Sequence, residues 1–142
     1  MHDSSSNPRD RPVTLQTLRQ MTERGEPFAC LTCYDATTAR HLDAADIEVL
    51  LVGDTASEMV LGHHSTIHAP LDFMIQLTGG VRRGADHALV MADMPFMSWQ
   101  TSPEDGLRNA ARFLTEAHAD LVKIEVDDQD LDFIQHAAHA GI

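Results

Sequence analysis

The sequence repeats one pattern three times: a short aliphatic run stops at an acidic residue, and a segment with helical features follows. The runs with their acids are residues 47–52 before Asp54, residues 88–92 before Asp93, and residues 121–124 before Glu125. Nearly continuous aliphatic runs are typical of strands that are buried on both faces in a parallel sheet. Strand-then-helix units in succession therefore predict an α/β protein built on such a sheet.

Helix signals lie between and around these runs. Ser102-Pro103, followed by two acids and then by apolar residues at helical spacing, predicts a helix start. Gly84 is expected to end the helix predicted over residues 70–83, and residues 55–69 are expected to be irregular. The other predicted elements are a strand at residues 28–32 and helices at residues 15–24, 37–45 and about 131–141.

Two architectures contain repeated strand-helix units, the doubly wound sheet and the (β/α)8 TIM barrel. The chain has no G-x-G-x-x-G or Walker-type glycine loop, which would favour the doubly wound sheet. A barrel needs about 250 residues, whereas this chain has 142. The expected fold is therefore the N-terminal half of a TIM barrel, about four βα units over residues 13–142, which stops before a fifth strand. Residues 1–12 are polar and are expected to form a disordered tail.

The charge balance excludes two classes of partner. The chain has 10 Lys and Arg against 22 Asp and Glu, a net charge of −12 with His neutral, so the clustered basic residues that bind nucleic acid are missing. The same deficit argues against binding to an anionic membrane. No segment approaches the apolar length of a transmembrane helix, and the polar N-terminus lacks the apolar core of a secretory signal. We expect a cytoplasmic protein.

Asp54, Asp93 and Glu125 each follow a predicted parallel strand. Because the carboxyl ends of parallel strands meet at one rim, the three carboxylates are expected to converge there. Carboxylates that lie close together need a counter-ion, and oxygen ligands combined with water suit Mg²⁺ better than Zn²⁺. The alternative is that each acid only caps a helix or solvates a loop.

Lys123 lies two residues before Glu125, so both side chains are expected to leave the strand on the same face. A lysine that points into a barrel is costly to bury without a partner. Two uses remain open: the ammonium group holds the carboxylate of an anionic substrate, or it forms an internal ion pair with one of the acids.

Cys30 and Cys33 form a C-x-x-C pair, which is the spacing of many redox and metal sites. In an extended chain the two thiols point to opposite faces, so we expect two separate buried or edge thiols. His63, His64 and His68 are expected in a loop at the surface or the rim.

Five strings, in order, resemble sequences of the ketopantoate hydroxymethyltransferase family. They are Val52-Gly53-Asp54-Thr55, Gly62-His63-His64-Ser65-Thr66, Val81-Arg82-Arg83-Gly84, Ala92-Asp93-Met94-Pro95-Phe96 and Val122-Lys123-Ile124-Glu125. Thr32-Cys33-Tyr34-Asp35 and Arg108-Asn109-Ala110-Ala111 fit the same family, so the resemblance extends from about Phe28 to Ile142.

The resemblance implies a TIM barrel of the phosphoenolpyruvate mutase and isocitrate lyase superfamily, usually a large homo-oligomer. The implied activity adds a hydroxymethyl group from 5,10-methylenetetrahydrofolate to 3-methyl-2-oxobutanoate, in pantothenate and coenzyme A biosynthesis. Carried over by motif, Asp54 and Asp93 are expected to bind Mg²⁺ and to contact the keto acid, with Glu125 near the metal through water. Thr55 is expected to hold the keto acid through its hydroxyl and backbone amide, and Lys123 to bind the substrate carboxylate.

The sequence departs from the family pattern at three places. Thr55 replaces a usual Ser, Val126-Asp127 replaces two glycines, and Gln76-Leu77 replaces a Tyr-His pair. The departures at Thr55 and Val126 leave open another 2-oxo-acid lyase or mutase of the same superfamily. A second alternative, of a different class, is a non-catalytic protein that binds the keto acid or Mg²⁺.

The general base that the resemblance implies is a glutamate on a later strand, beyond Ile142. No catalytic residue is therefore assigned within the chain, which is interpreted as the N-terminal half of the enzyme and is expected to be inactive alone. Its first and fourth strands are expected to be open edges of the sheet.

Overall fold

A computed structural model describes residues 11–142, so the predicted tail at residues 1–12 lies outside the described residues except for its last two. The helices are α1 (Leu15–Glu23), α2 (Ala36–Ala44), α3 (Ala56–Met59), α4 (Leu71–Arg82), α5 (Pro103–Thr115) and α6 (Leu131–Ala140), with a 3-10 turn at Thr66–His68. The strands are β1 (Cys30–Thr32), β2 (Val49–Val52), β3 (Leu89–Asp93) and β4 (Leu121–Lys123). Among residues 11–142, none of the helices combines the length and the apolar character needed to cross a membrane.

The strands form one parallel sheet in the order β1-β2-β3-β4, so each strand pairs with the next one in the sequence. A doubly wound sheet reverses its strand order at a switch point, whereas a barrel adds strands consecutively in one direction. The observed order therefore confirms the barrel-type arrangement. Within the described part of the chain β1 and β4 are the two sheet edges, as predicted.

The two faces of the sheet have different environments. Leu50 and Val52 of β2 are completely buried, whereas Leu51 between them is half-buried and points to the opposite face. Leu51 pairs in register with Met91 of β3, and Asp93, two residues after Met91, projects from that same face. This second face corresponds to the interior of the predicted barrel, and β3 ends on it with a carboxylate.

Local signals fix the starts of two helices, and the start at Ser102 is the one that was predicted. Ser102 accepts a hydrogen bond from the backbone N–H of Asp105 at 3.1 Å, and Pro103 occupies the first position of α5. Asp35 caps α2 by accepting two backbone N–H groups of its first turn, both at 2.8 Å. These contacts satisfy donors that every helix start otherwise leaves unpaired.

Several predicted boundaries differ from the structure. β1 begins at Cys30 and β2 at Val49, each two residues later than predicted, and β4 ends at Lys123, so Ile124 and Glu125 lie outside the strand in which they were expected. Apolar character extends past the backbone pairing that defines a strand, and the sequence does not show where that pairing stops. Residues 55–69, expected to be irregular, contain α3 and the 3-10 turn, which are too short to produce an apolar period.

The cysteines and loop histidines lie as predicted. Cys30 is exposed, Cys33 is buried, and both are free thiols. His63, His64 and His68 are exposed, and the ring centroids of His63 and His68 are 5.2 Å apart.

Asp43 of α2 fixes the turn that leads into β3. Its side chain is only 10% exposed and accepts the backbone N–H groups of Asp86 at 3.0 Å, His87 at 3.1 Å and Ala88 at 2.7 Å. The Nδ1 atom of His87 lies 3.2 Å from the same carboxylate. Burial alone would raise the pKa of Asp43, yet these donors outweigh burial and hold its pKa below the ordinary value.

Asp43→Ala is expected to lower the free energy of unfolding at pH 7 by about 2–3 kcal/mol, because three backbone N–H groups, including that of the buried Ala88, lose their side-chain acceptor. A carboxylate whose folded pKa is depressed stabilises the fold above its unfolded pKa, and that contribution is lost as pH falls through the folded pKa. The difference from the wild-type chain should therefore shrink below about pH 4. Urea unfolding at pH 7 and pH 3, with the exposed Asp132→Ala as control, measures it; a difference that does not change with pH would contradict the assignment.

Candidate active site

The carboxyl ends of β2, β3 and β4 surround a cavity of about 190 Å³. Four of the five predicted site residues line it: Asp54, Asp93, Lys123 and Glu125. The remaining lining residues come from the loops that follow β2 and β3, and they are Thr66, Ile67, Met94, Phe96, Trp99 and Gln100. A larger groove of about 710 Å³ opens between α1, α2 and the turn before β3, at the amino ends of the strands, and contains none of the predicted site residues.

Asp93 and Lys123 form the central ion pair of the cavity. They are register partners on β3 and β4, and Nζ of Lys123 lies 2.9 Å from Oδ1 of Asp93. Asp93 is buried, with 6% of its surface exposed. Burial alone would lower the pKa of Lys123, but the hydrogen bond and the charge of Asp93 outweigh it and raise that pKa. Lys123 therefore stays an ammonium ion, and the internal ion pair left open above is present.

Asp54 joins the same cluster through its backbone and its charge. Its N–H donates to Oδ2 of Asp93 at 3.2 Å, which ties the loop after β2 to the end of β3. Burial raises the pKa of Asp54, and the negative charges of Asp93 and Glu125 raise it further, against the opposing effects of Lys123 and Thr66. The raised pKa shows that an anion at Asp54 lies in a negative, partly dehydrated environment.

Glu125 lies beyond the end of β4, so the predicted strand extends too far, although the prediction that Glu125 and Lys123 face the same side is confirmed. Its side chain nevertheless lines the cavity, and its Oε1 is 3.5 Å from Nζ of Lys123. The side chain is 90% exposed, so this ion pair contributes little stability by itself.

Thr55 does not line the cavity but lies directly beside it. Its Oγ1 is 2.5 Å from the phenol oxygen of Tyr34, which follows β1. A Cβ on Gly53 would lie 3.0 Å from Oγ1 of Thr55 and 3.6 Å from both Oδ2 of Asp93 and the oxygen of Tyr34. Glycine at this position thus makes room for three oxygen-bearing side chains to approach one another.

Tyr34, Gly53 and Thr66 were not predicted as site residues. Tyr34 and Thr66 occur within the family-like strings, but the apolar runs and their terminal acids do not identify them. Their proximity depends on how β1 and the loop after β2 pack, which is a tertiary feature. The signal that was available is the position of Tyr34 just after a predicted strand, where ligand-binding loops begin.

Asp54 and Asp93 are chemically suited to Mg²⁺. This ion needs only one or two carboxylates and keeps several waters, and a divalent cation would relieve the repulsion from Asp93 and Glu125, which adds to burial in raising the pKa of Asp54. Within residues 11–142, no cluster of three or more Asp, Glu, His or Cys side chains is arranged to hold a metal. A pair of carboxylates completed by water is a donor set of the kind that Mg²⁺ accepts.

Comparison with solved structures supports the barrel architecture. Oxaloacetate acetylhydrolase superposes with a TM-score of 0.67 at 18% sequence identity, over 91% of this chain and 49% of that chain. A 2,3-dimethylmalate lyase, a member of the PEP mutase/isocitrate lyase superfamily, gives 0.66 at 21% identity, over 88% and 47% respectively. At these identities the likeness shows the fold alone, and it places the described residues as about half of such a barrel.

Sequence comparison identifies the family more narrowly. The 3-methyl-2-oxobutanoate hydroxymethyltransferase of Thermobifida fusca (strain YX) is 47% identical over 133 residues, which are 94% of this chain and 48% of that protein. The enzyme of the same name from Syntrophus aciditrophicus (strain SB) is 41% identical over 138 residues, 97% of this chain and 51% of that protein. The chain thus spans about half the length of these relatives. The family model for ketopantoate hydroxymethyltransferase matches residues 12–142, and with the strand-end cluster inside that match, the chain belongs to the ketopantoate hydroxymethyltransferase family.

Proposed function

We propose that this chain supplies the metal- and keto-acid-binding half of a 3-methyl-2-oxobutanoate hydroxymethyltransferase. The reaction transfers a hydroxymethyl group from 5,10-methylenetetrahydrofolate to 3-methyl-2-oxobutanoate and gives 2-dehydropantoate, in pantothenate and coenzyme A biosynthesis. The observation that carries the proposal is the junction of Asp54, Asp93 and Lys123 at one cavity, from three adjacent strand ends. Relatives of that name at 41–47% identity support the substrate assignment.

Each residue of the cluster has a distinct part in this proposal. Asp54 and Asp93 hold Mg²⁺ directly, and Glu125 acts on it through water, in keeping with its exposure. Lys123 binds the carboxylate of the keto acid. An ammonium group has three N–H donors, so Lys123 can keep its contact with Asp93 while another donor binds the substrate. Thr55 contributes its hydroxyl and backbone amide to the keto acid.

The chemistry requires the C3 proton of the keto acid to leave as a new bond forms between C3 and the one-carbon unit. When bound, Mg²⁺ stabilises the negative charge that develops on the keto oxygen. Lys123 fixes the carboxylate, which orients C3 relative to the strand ends. The proton passes to a general base, which we place on a later strand beyond Ile142. Water supplies the hydroxyl oxygen of the product, and tetrahydrofolate leaves.

Three further properties belong to the same proposal. Residues 13–142 form the first half of the barrel domain. The complete enzyme is a cytoplasmic homo-oligomer.

A lyase or mutase of another 2-oxo acid has weaker support, because the solved relative named as a lyase is only 21% identical to this chain. A non-catalytic protein that binds the keto acid or Mg²⁺ is separated from a transferase by the exchange experiment described below.

Isothermal titration calorimetry tests the binding half of the proposal. The chain is expected to bind 3-methyl-2-oxobutanoate in the presence of Mg²⁺ and to lose that binding when EDTA is added. The matched control is 3-methylbutanoate, which has the carboxylate for Lys123 but no keto oxygen for the metal, and it should bind at least about tenfold more weakly. Equal affinities for the two acids, or binding that persists in EDTA, would contradict the proposed metal role.

The same samples in D₂O test where the base lies. The C3 proton of the keto acid should persist in the NMR spectrum of the 142-residue chain, because the base is proposed outside it. A longer protein that includes the following strands should exchange it. Rapid exchange by the 142-residue chain would overturn the location of the base, and no exchange by the longer protein would favour a non-catalytic binding role.

A further inference from the structure

Tyr34 makes a contact with Thr55 to which no function has yet been assigned. Tyr34 lies two residues beyond the end of β1, and Thr55 lies three residues beyond the end of β2. Their side-chain oxygens are 2.5 Å apart. The ring of Tyr34 is half-buried against the hydrophobic core, whereas Thr55 is exposed. The Tyr34 side chain, packed against the core, therefore holds the exposed Thr55 side chain through this hydrogen bond.

The Thr55 hydroxyl is not held by the helix that it precedes. Thr55 is the N-cap residue of α3, yet its side chain makes no capping hydrogen bond. N-cap threonines ordinarily use the hydroxyl to accept a backbone N–H of the first turn. Here the hydroxyl is directed to Tyr34 instead, on the side where Gly53 leaves space beside Asp93.

The acidity of the two hydroxyl groups indicates the direction of this hydrogen bond. A phenol is a stronger acid than an aliphatic alcohol, so the favoured arrangement has Tyr34 donating to Oγ1 of Thr55. The proton of Thr55 is then left to donate to a further acceptor. A chain of hydroxyl groups that ends on an anion is cooperative, because each hydrogen bond polarises the next.

We propose that Tyr34 is a positioning residue for Thr55: it fixes the rotamer of Thr55 and leaves the Thr55 proton directed at the bound keto acid. This inference rests on the proposed function only for the identity of that acid. The hydroxyl of Thr55 makes the contact with the ligand, and Tyr34 acts through it. Gly53 contributes to the same positioning, since a Cβ at that residue would lie too close to Oγ1 of Thr55.

The first experiment needs no ligand. Three-bond couplings from the Thr55 methyl carbon to the backbone nitrogen and carbonyl carbon report its side-chain rotamer by NMR. The wild-type chain should show one rotamer, and Tyr34→Phe, which keeps the ring in the core but removes the hydroxyl, should show averaging between rotamers. An unchanged set of couplings in Tyr34→Phe, or averaging already in the wild type, would overturn the proposal.

The second experiment uses ligand affinity to measure the coupling between Tyr34 and Thr55. With Mg²⁺ present, Tyr34→Phe is expected to weaken binding of 3-methyl-2-oxobutanoate about 3- to 10-fold. Thr55→Val, which replaces the hydroxyl with a methyl group, should weaken it at least as much. The double variant should be no weaker than Thr55→Val alone, because Tyr34 acts only through the missing hydroxyl. Independent losses that multiply in the double variant would overturn the positioning role.

The two experiments fail in different ways. If the wild-type chain does not bind the keto acid, the proposed function fails, and the rotamer measurement still decides the role of Tyr34. Tyr34 is the only tyrosine of the chain, so its ring signals provide an unambiguous check that Thr55→Val leaves the ring in its place. Loss of the nuclear Overhauser contacts between the Tyr34 ring and the hydrophobic core in Thr55→Val without ligand would show a rearranged pair and would count against the proposal.

Discussion

Gly84→Ala is expected to destabilise the fold by about 3 kcal/mol or more, with a fall of about 10 °C in the midpoint of thermal unfolding. Gly84 is buried where the end of α4 crosses the first turn of α2. A Cβ at this position would overlap the carbonyl oxygen of Ala36 and lie 2.8 Å from the Cβ of Ala39. The obstacle is backbone, which cannot rotate away as a flexible side chain can, so α2 would have to move. That movement would disturb the Asp35 cap at the start of α2.

Gly80→Ala is the matched control. Gly80 lies in the interior of α4, and a Cβ there would meet only the guanidinium of Arg83, at 3.9 Å. Alanine in an open helical position should stabilise the chain by about 0.5–1 kcal/mol. Urea unfolding of both variants should therefore give changes of opposite sign. A Gly84→Ala chain as stable as the wild type would contradict the close packing of α2 against α4.

Asp93→Asn is expected to lower the affinity for 3-methyl-2-oxobutanoate in the presence of Mg²⁺ by about 100-fold or more. Asp93 has three parts in the site: it pairs with Lys123, it accepts the N–H of Asp54, and it is a proposed Mg²⁺ ligand. The asparagine amide has the shape of the carboxylate but no charge. The affinity for the metal therefore falls, and Lys123 loses the ion pair that holds its side chain in place. Because Asp93 is buried, neutralising it should be less costly to the fold than removing it.

The control for this variant is Asp132→Asn, which makes the same charge change at an exposed position on α6. It should leave keto-acid affinity within about twofold of the wild type. Circular dichroism should confirm that both variants are folded before titration. An Asp93→Asn chain with wild-type affinity would show that the carboxylate is needed neither for the metal nor for Lys123.

The order of the elements could be predicted because it depends on local patterns. Each aliphatic run that stops at an acid became a strand of the sheet, and Ser102 with Pro103 starts α5 as expected. The strands pair consecutively, as the strands of a barrel do. The positions of Asp54, Asp93 and Lys123 at one rim then follow from parallel topology alone, which is why the cavity could be anticipated without a structure.

What could not be predicted depends on packing between distant segments. Gly84 was predicted as a helix terminator, but it is not in the left-handed conformation that such a role favours; its lack of a side chain serves the crossing of α2 and α4. The end of β4 at Lys123 depends on pairing with β3. The role of Tyr34 could not be predicted, because its partner, Thr55, is 21 residues away and is brought close only by the pairing of β1 with β2.

Paramagnetic NMR with Mn²⁺ in place of Mg²⁺ tests most directly whether one cation binds between the ends of β2 and β3. In the ¹⁵N-labelled chain with 3-methyl-2-oxobutanoate present, the strongest broadening should centre on the amides of Asp54 and Asp93 together, and it should disappear from both in Asp93→Asn. Broadening centred instead on the acidic segment at residues 127–132, with the signals of Asp54 and Asp93 remaining sharp, would contradict the account.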